Sequence, residues 1–118
     1  MSDRRTVLVV DDNLQICELM DEFLKSHDFD VLCAHNGTEA RLLIGAHHID
    51  LAIVDLLLPG PLSGDDVAAH AVEHNVKVII ISGTLASDTR GRDLRHPHLL
   101  KPFRMDTLLK TIESTLAG

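Results

Sequence analysis

The sequence predicts a doubly wound α/β sandwich, (βα)5, with a parallel five-stranded sheet between two layers of helix. Three observations carry this. The runs at residues 6–10, 51–54 and 78–81 are apolar at nearly every position, as strands buried on both faces of a parallel sheet must be. Between the runs lie stretches whose apolar residues recur every three to four positions, the stripe of a helix lying on a sheet face. The runs also end in polar residues, Asp11-Asp12, Asp55 and Ser82. Short, right-handed connections make the doubly wound sandwich the simplest arrangement of such a chain. With 118 residues it is a single domain, residues 1–118, with its core at about 5–117.

The elements follow in order. The first strand, residues 6–10, runs into the acid pair, and Asp12 or Asn13 is placed to cap the helix at residues 13–26. Ile16, Leu19, Met20, Phe23 and Leu24 form its apolar stripe. Residues 29–34 predict a second strand, with Phe29, Val31 and Cys33 on one face. Asn36 and Glu39 have capping-box spacing, ahead of a helix to about Gly45 that packs through Ala40, Leu43 and Ile44. The third strand, Leu51–Asp55, ends in a loop with Pro59-Gly60-Pro61. Ser63 and Asp66 suggest a second capping box, followed by Val67, Ala68, Ala71 and Val72 as the apolar side of the third helix. The fourth strand covers about 77–81. Residues 84–95 predict a short, solvated helix capped by Thr84 or Ser87, since Leu85, Ala86 and Leu94 are its only apolar contacts. Pro97 places the fifth strand, His98-Leu99-Leu100, at a sheet edge. The last helix, at about 104–117, packs through Met105, Leu108, Leu109, Ile112 and Leu116.

Composition argues against several functions. Three Phe, with no Trp or Tyr, leave no stacking platform for single-stranded nucleic acid. A formal charge of −7 disfavours nucleic acid and anionic membrane as direct partners, and is compatible with holding a divalent cation. Cys17 and Cys33 form no disulfide framework and read as partly buried thiols, so a reducing cytoplasm is expected. There is no secretory h-region or bilayer-spanning stretch. The starting Met and the lack of a trailing linker lean towards a stand-alone protein.

Asp11, Asp12 and Asp55 at neighbouring strand ends would repel one another and raise one another's pKa. A hard divalent cation relieves this; Mg²⁺ prefers one or two carboxylates, waters and a phosphate oxygen, and Mn²⁺ is a substitute. Lys101 adds a positive point charge, and Ser82 with nearby backbone N–H groups adds donors, a set suited to a phosphoryl group in transfer. With a carboxylate nucleophile present, the chemistry is formation of an aspartyl phosphate.

At these residues the chain resembles the receiver domain of two-component response regulators over residues 5–117. The resemblance implies a flavodoxin-like sheet of order 2-1-3-4-5, which the residue pattern leaves open. It implies Asp55 as phosphoacceptor, Asp12 as direct Mg²⁺ ligand, Asp11 as a ligand through water and the Leu57 carbonyl as a third protein ligand. Ser82 takes the place of the family's switch hydroxyl, Lys101 that of its phosphate-pairing lysine, and Lys101-Pro102 that of its cis peptide. The implied donor is a phosphohistidine on a histidine kinase or histidine phosphotransfer protein. Such a domain is no classical enzyme: it catalyses its own phosphorylation and slow dephosphorylation, and switches a surface read by a downstream protein. The chain departs from the family in three places. The loop from Pro59 to Gly64 is one residue longer than usual, the span from Ser82 to Lys101 is shorter, and His98 stands where a switch Tyr or Phe is usual. The last two departures predict a monomer.

Rival readings are a phosphorylation-independent pseudo-receiver, a phosphate sink or relay, an aspartyl-phosphate phosphohydrolase and a flavodoxin-like cofactor binder. The pseudo-receiver would ordinarily lack one of the acids or the lysine. The phosphohydrolase would want a second aspartate at position 57, which is Leu, and the cofactor binder a phosphate-cradling loop after the first strand. The pairs His47-His48 and His96/His98 lack a third ligand at zinc spacing, and read as solvated or half-buried side chains. Arg90, Arg92 and Arg95 form a small basic patch, ordinarily a solvated face.

Overall fold

In the computed structural model, which describes residues 4–83 and 96–118, five parallel strands form one sheet in the order β2-β1-β3-β4-β5. The strands are β1 (Thr6–Val10), β2 (Asp30–Ala34), β3 (Leu51–Asp55), β4 (Lys77–Ser82) and β5 (His98–Leu100). The described helices are α1 (Leu14–Lys25), α2 (Gly37–Ala46), α3 (Gly64–Glu73) and α4 (Met105–Ala117). The short helix expected at residues 84–95, with Arg90, Arg92 and Arg95, lies outside the described residues. None of the described helices is long and apolar enough to cross a membrane.

The period of two along each strand explains the apolar runs. Leu8 and Val10, Ala52 and Val54, and Val78 and Ile80 face the core under α2 and α3. Their neighbours Val7 and Val9, Leu51 and Ile53, and Ile79 and Ile81 face a second core under α1 and α4. Both faces are covered, so neither tolerates a polar position until the strand ends. The order 2-1-3-4-5 follows the resemblance, and β5 is the edge that Pro97 predicts; the Pro97 carbonyl still accepts from the Ile80 N–H at 2.8 Å.

Some local expectations hold and others are corrected. Leu19 is 55% exposed and Cys17, at 3%, takes its place in the core; likewise Val72 is 47% exposed. The cap of α1 is Asn13, whose Oδ1 accepts from the N–H groups of Gln15 and Ile16. Asn36 caps α2, but Glu39 reaches back to the His35 N–H rather than to that of Asn36. Ser63 and Asp66 form the full capping box expected of α3. In α4, Leu108 and Ile112 are fully buried.

Candidate functional site

The strand order brings the C-terminal ends of β1, β3, β4 and β5 side by side, and with them the polar residues that end each apolar run. Asp11 follows β1 and has no exposed surface; Asp55 closes β3 and is 6% exposed. Lys101 follows β5 and reaches across the edge. Its Nζ donates to Asp11 Oδ2 at 2.8 Å and to Asp55 Oδ2 at 2.9 Å. The other oxygen of each carboxylate is held by backbone: the Asn13 N–H donates to Asp11 Oδ1 at 2.9 Å, and the Leu57 N–H to Asp55 Oδ1 at 3.1 Å. Asp12 is exposed. A ligand oxygen from each of Asp11, Asp12 and Asp55 falls within 4.8 Å of the others, and they form the only such group of metal-ligating side chains among the described residues.

The positive charge expected of Lys101 is already engaged with two of the three carboxylates. Burial pulls the Lys101 pKa down, but hydrogen bonds and charges from Asp11 and Asp55 outweigh it and raise the pKa above the ordinary 10.5. The lysine therefore stays cationic at neutral pH and relieves the two buried acids. The exposed Asp12 leaves the cluster with an oxygen open to solvent, and an all-oxygen donor set of this kind fits a hard cation such as Mg²⁺.

Ser82, at the end of β4, is 6% exposed and pairs in register with Leu100. The Lys101–Pro102 peptide is cis. His98 is half-buried three residues before Lys101, opposite Ile80, with its Nδ1 2.9 Å from the His96 carbonyl. His48 Nε2 lies 3.2 Å from Asp50 Oδ1 on an exposed surface.

Sequence reasoning missed the part played by Gly64. A Cβ there would overlap the Asp55 carbonyl oxygen and lie 2.6 Å from Leu56 Cα. The start of α3 therefore presses on the backbone of the candidate nucleophile, and the Gly64 N–H donates to the Leu56 carbonyl at 3.2 Å. A glycine directly after the N-cap serine was the visible signal. Leu19 also gains a reason for its exposure. With Ile16, Met20, Pro102, Phe103 and Met105 it lines a groove of about 440 Å³ beside Lys101.

Comparison with known proteins agrees with this architecture. The profile of the response regulator receiver domain matches residues 7–113. The regulatory protein VanR of Enterococcus faecium is 30% identical over 98% of this chain, which spans about half (51%) of VanR. A response regulator receiver protein of Sinorhizobium medicae superposes with a TM-score of 0.90 over 98% of this chain and 97% of its own, at 24% identity. The response regulator TrrA of Thermotoga maritima, solved in complex with Mg²⁺–BeF, gives 0.81 at 30% identity, over 94% of this chain and 98% of its own.

Proposed function

The chain belongs to the response regulator receiver domain family, and on that premise we propose that Asp55 accepts a phosphoryl group from a phosphohistidine. The donor is a histidine kinase or a histidine phosphotransfer protein in a reducing cytoplasm. An oxygen of Asp55 bonds to phosphorus as the phosphorus–nitrogen bond breaks, and the imidazole leaves with the electron pair.

The observation that supports this most is the Lys101 ammonium held between Asp11 and Asp55 at the open end of the sheet. It orients Asp55 through a 2.9 Å hydrogen bond, and stands where a phosphoryl oxygen on Asp55 would need a cation. The Ser82 hydroxyl, on the strand paired with β3, is the second donor in this scheme. Asp12 would hold Mg²⁺ directly and Asp11 through water, with Asp55 and the Leu57 carbonyl completing the protein ligands. Bound there, the ion neutralises charge on the phosphoryl oxygens. Attack of water on the phosphoryl group returns the domain slowly to its starting state, and in between an altered surface is read by a downstream protein.

Incubation with acetyl phosphate and Mg²⁺ tests the reading. Intact-mass spectrometry should show one phosphoryl group that hydroxylamine removes, and Asp55→Ala should show none. Equal incorporation in the variant would refute the assignment.

A further inference from the structure

A groove of about 730 Å³ separates α2 from α3 on the α2/α3 side of the sheet, lined by Arg41, Leu42, Ala46, Leu62, His70 and His74 among others. His70 and His74 are one turn apart on α3, so both side chains leave the same face of the helix. Their ring centroids are 4.4 Å apart, with the planes tilted by 49°. We propose that His70 and His74 form a second cation site, which takes one divalent transition ion of the imidazole-preferring class (Zn²⁺, Ni²⁺ or Cu²⁺) through the two Nε2 atoms.

One hydrogen bond, on His74, and one longer electrostatic contact, on His70, orient the rings for this. His74 Nδ1 lies 3.0 Å from the His70 carbonyl, which can only accept. The proton is therefore on Nδ1, and the lone pair is on Nε2. A carbonyl holding the distal ring nitrogen is the usual support of a metal-bound histidine. His70 Nδ1 faces Glu73 Oε1 at 3.8 Å, which favours a proton on the same nitrogen of that ring. Burial, then repulsion from His74 whenever that ring is protonated and from Arg41, lowers the His70 pKa from the usual 6.5, so its lone pair is available at neutral pH.

The position on the helix also favours a cation. His74 is the C-cap of α3, where the helix end carries partial negative charge. Arg41 opposes the ion across the groove, but it is exposed and free to turn into solvent. With two protein ligands the remaining positions fall to water, so binding is reversible rather than structural. The carboxylate site and this one divide cations by donor type, oxygen against imidazole nitrogen. Sequence reasoning examined His47-His48 and His96/His98 and passed over this pair, although its i, i+4 spacing was visible.

Calorimetric titration of the full chain with NiCl₂ at pH 7.5, with excess Mg²⁺ to occupy carboxylates, tests the proposal. One equivalent of Ni²⁺ should bind and raise the melting temperature. His70→Gln and His74→Gln should each weaken the affinity at least about tenfold, with unchanged circular dichroism, while His47→Gln/His48→Gln binds as the parent does. Retained affinity in His70→Gln/His74→Gln, or its loss in His47→Gln/His48→Gln, overturns the proposal.

Discussion

Lys101 carries the electrostatics of the acid cluster. It meets Asp11 across 90 positions of sequence, and both acids it contacts are buried. Lys101→Ala would leave two buried carboxylates facing one another. The expected loss is about 3 kcal/mol, the lower end for an orphaned buried charge because the lysine is partly exposed. Urea melts should show this loss, with part of it recovered by Mg²⁺; an unchanged melt without metal would contradict the role. The folded pKa of Lys101 is raised, so its contribution is complete below 10.5 and is lost as pH climbs through the folded value. Asp12→Ala should behave differently. The side chain is exposed, so stability without metal should barely change, while the rise in melting temperature with Mg²⁺ disappears. Equal Mg²⁺-induced shifts in the parent and this variant would remove Asp12 from the ligand set. On the α1 side, burial, with smaller contributions from Cys33 and Asp11, pushes the Cys17 thiol up to about 12 from 9.0. Stability from that neutral thiol is complete below pH 9 and declines from there towards 12. Native-state alkylation at pH 8 should therefore spare Cys17 until urea exposes it.

At the scale of elements, the junction of β3 and α3 sets the height of Asp55. Gly64→Ala would push a methyl into the Asp55 carbonyl and the Leu56 backbone, which are not flexible neighbours. We expect about 1–3 kcal/mol of destabilisation, together with slower phosphorylation by acetyl phosphate, because the start of α3 must retreat. Phosphorylation at the parent rate would show that Asp55 does not depend on this contact. Strands were legible because a strand covered on both faces has no polar position until its end, and helices because of their stripes. The exact stripe was less legible. Leu19 and Val72 satisfied the spacing but lie at its margins, and Cys17 entered the core although the periodicity favoured Leu19. The reach of Glu39 to His35 was hidden because a capping carboxylate one residue off looks the same in sequence. The closeness of Gly64 to Asp55 depends on the angle at which α3 meets the sheet, which no local pattern encodes.

For the molecule as a whole, alternation of strand and helix predicted the doubly wound class, but each crossover can pass to either side, and the order came from the family resemblance. Two cores, one on each face, give the sheet a rigid frame from which four strand ends present their polar residues together. The short span from Ser82 to Lys101 and the His98 at the usual switch position are the sequence features behind the expectation of a monomer, since a symmetric interface needs matched contacts on both copies. Light scattering at micromolar concentration, with and without beryllofluoride and Mg²⁺, should therefore report a monomer in both states; a doubled mass on activation would show that the surface still self-associates. Borohydride tests at the atom whether Asp55 receives the phosphoryl group. Reduction of the phosphorylated protein converts an aspartyl phosphate to homoserine, which peptide mapping locates. Homoserine should appear at position 55, dependent on Mg²⁺ and acetyl phosphate. Homoserine at position 11 or 12, or none after verified phosphorylation, would contradict Asp55 as the acceptor.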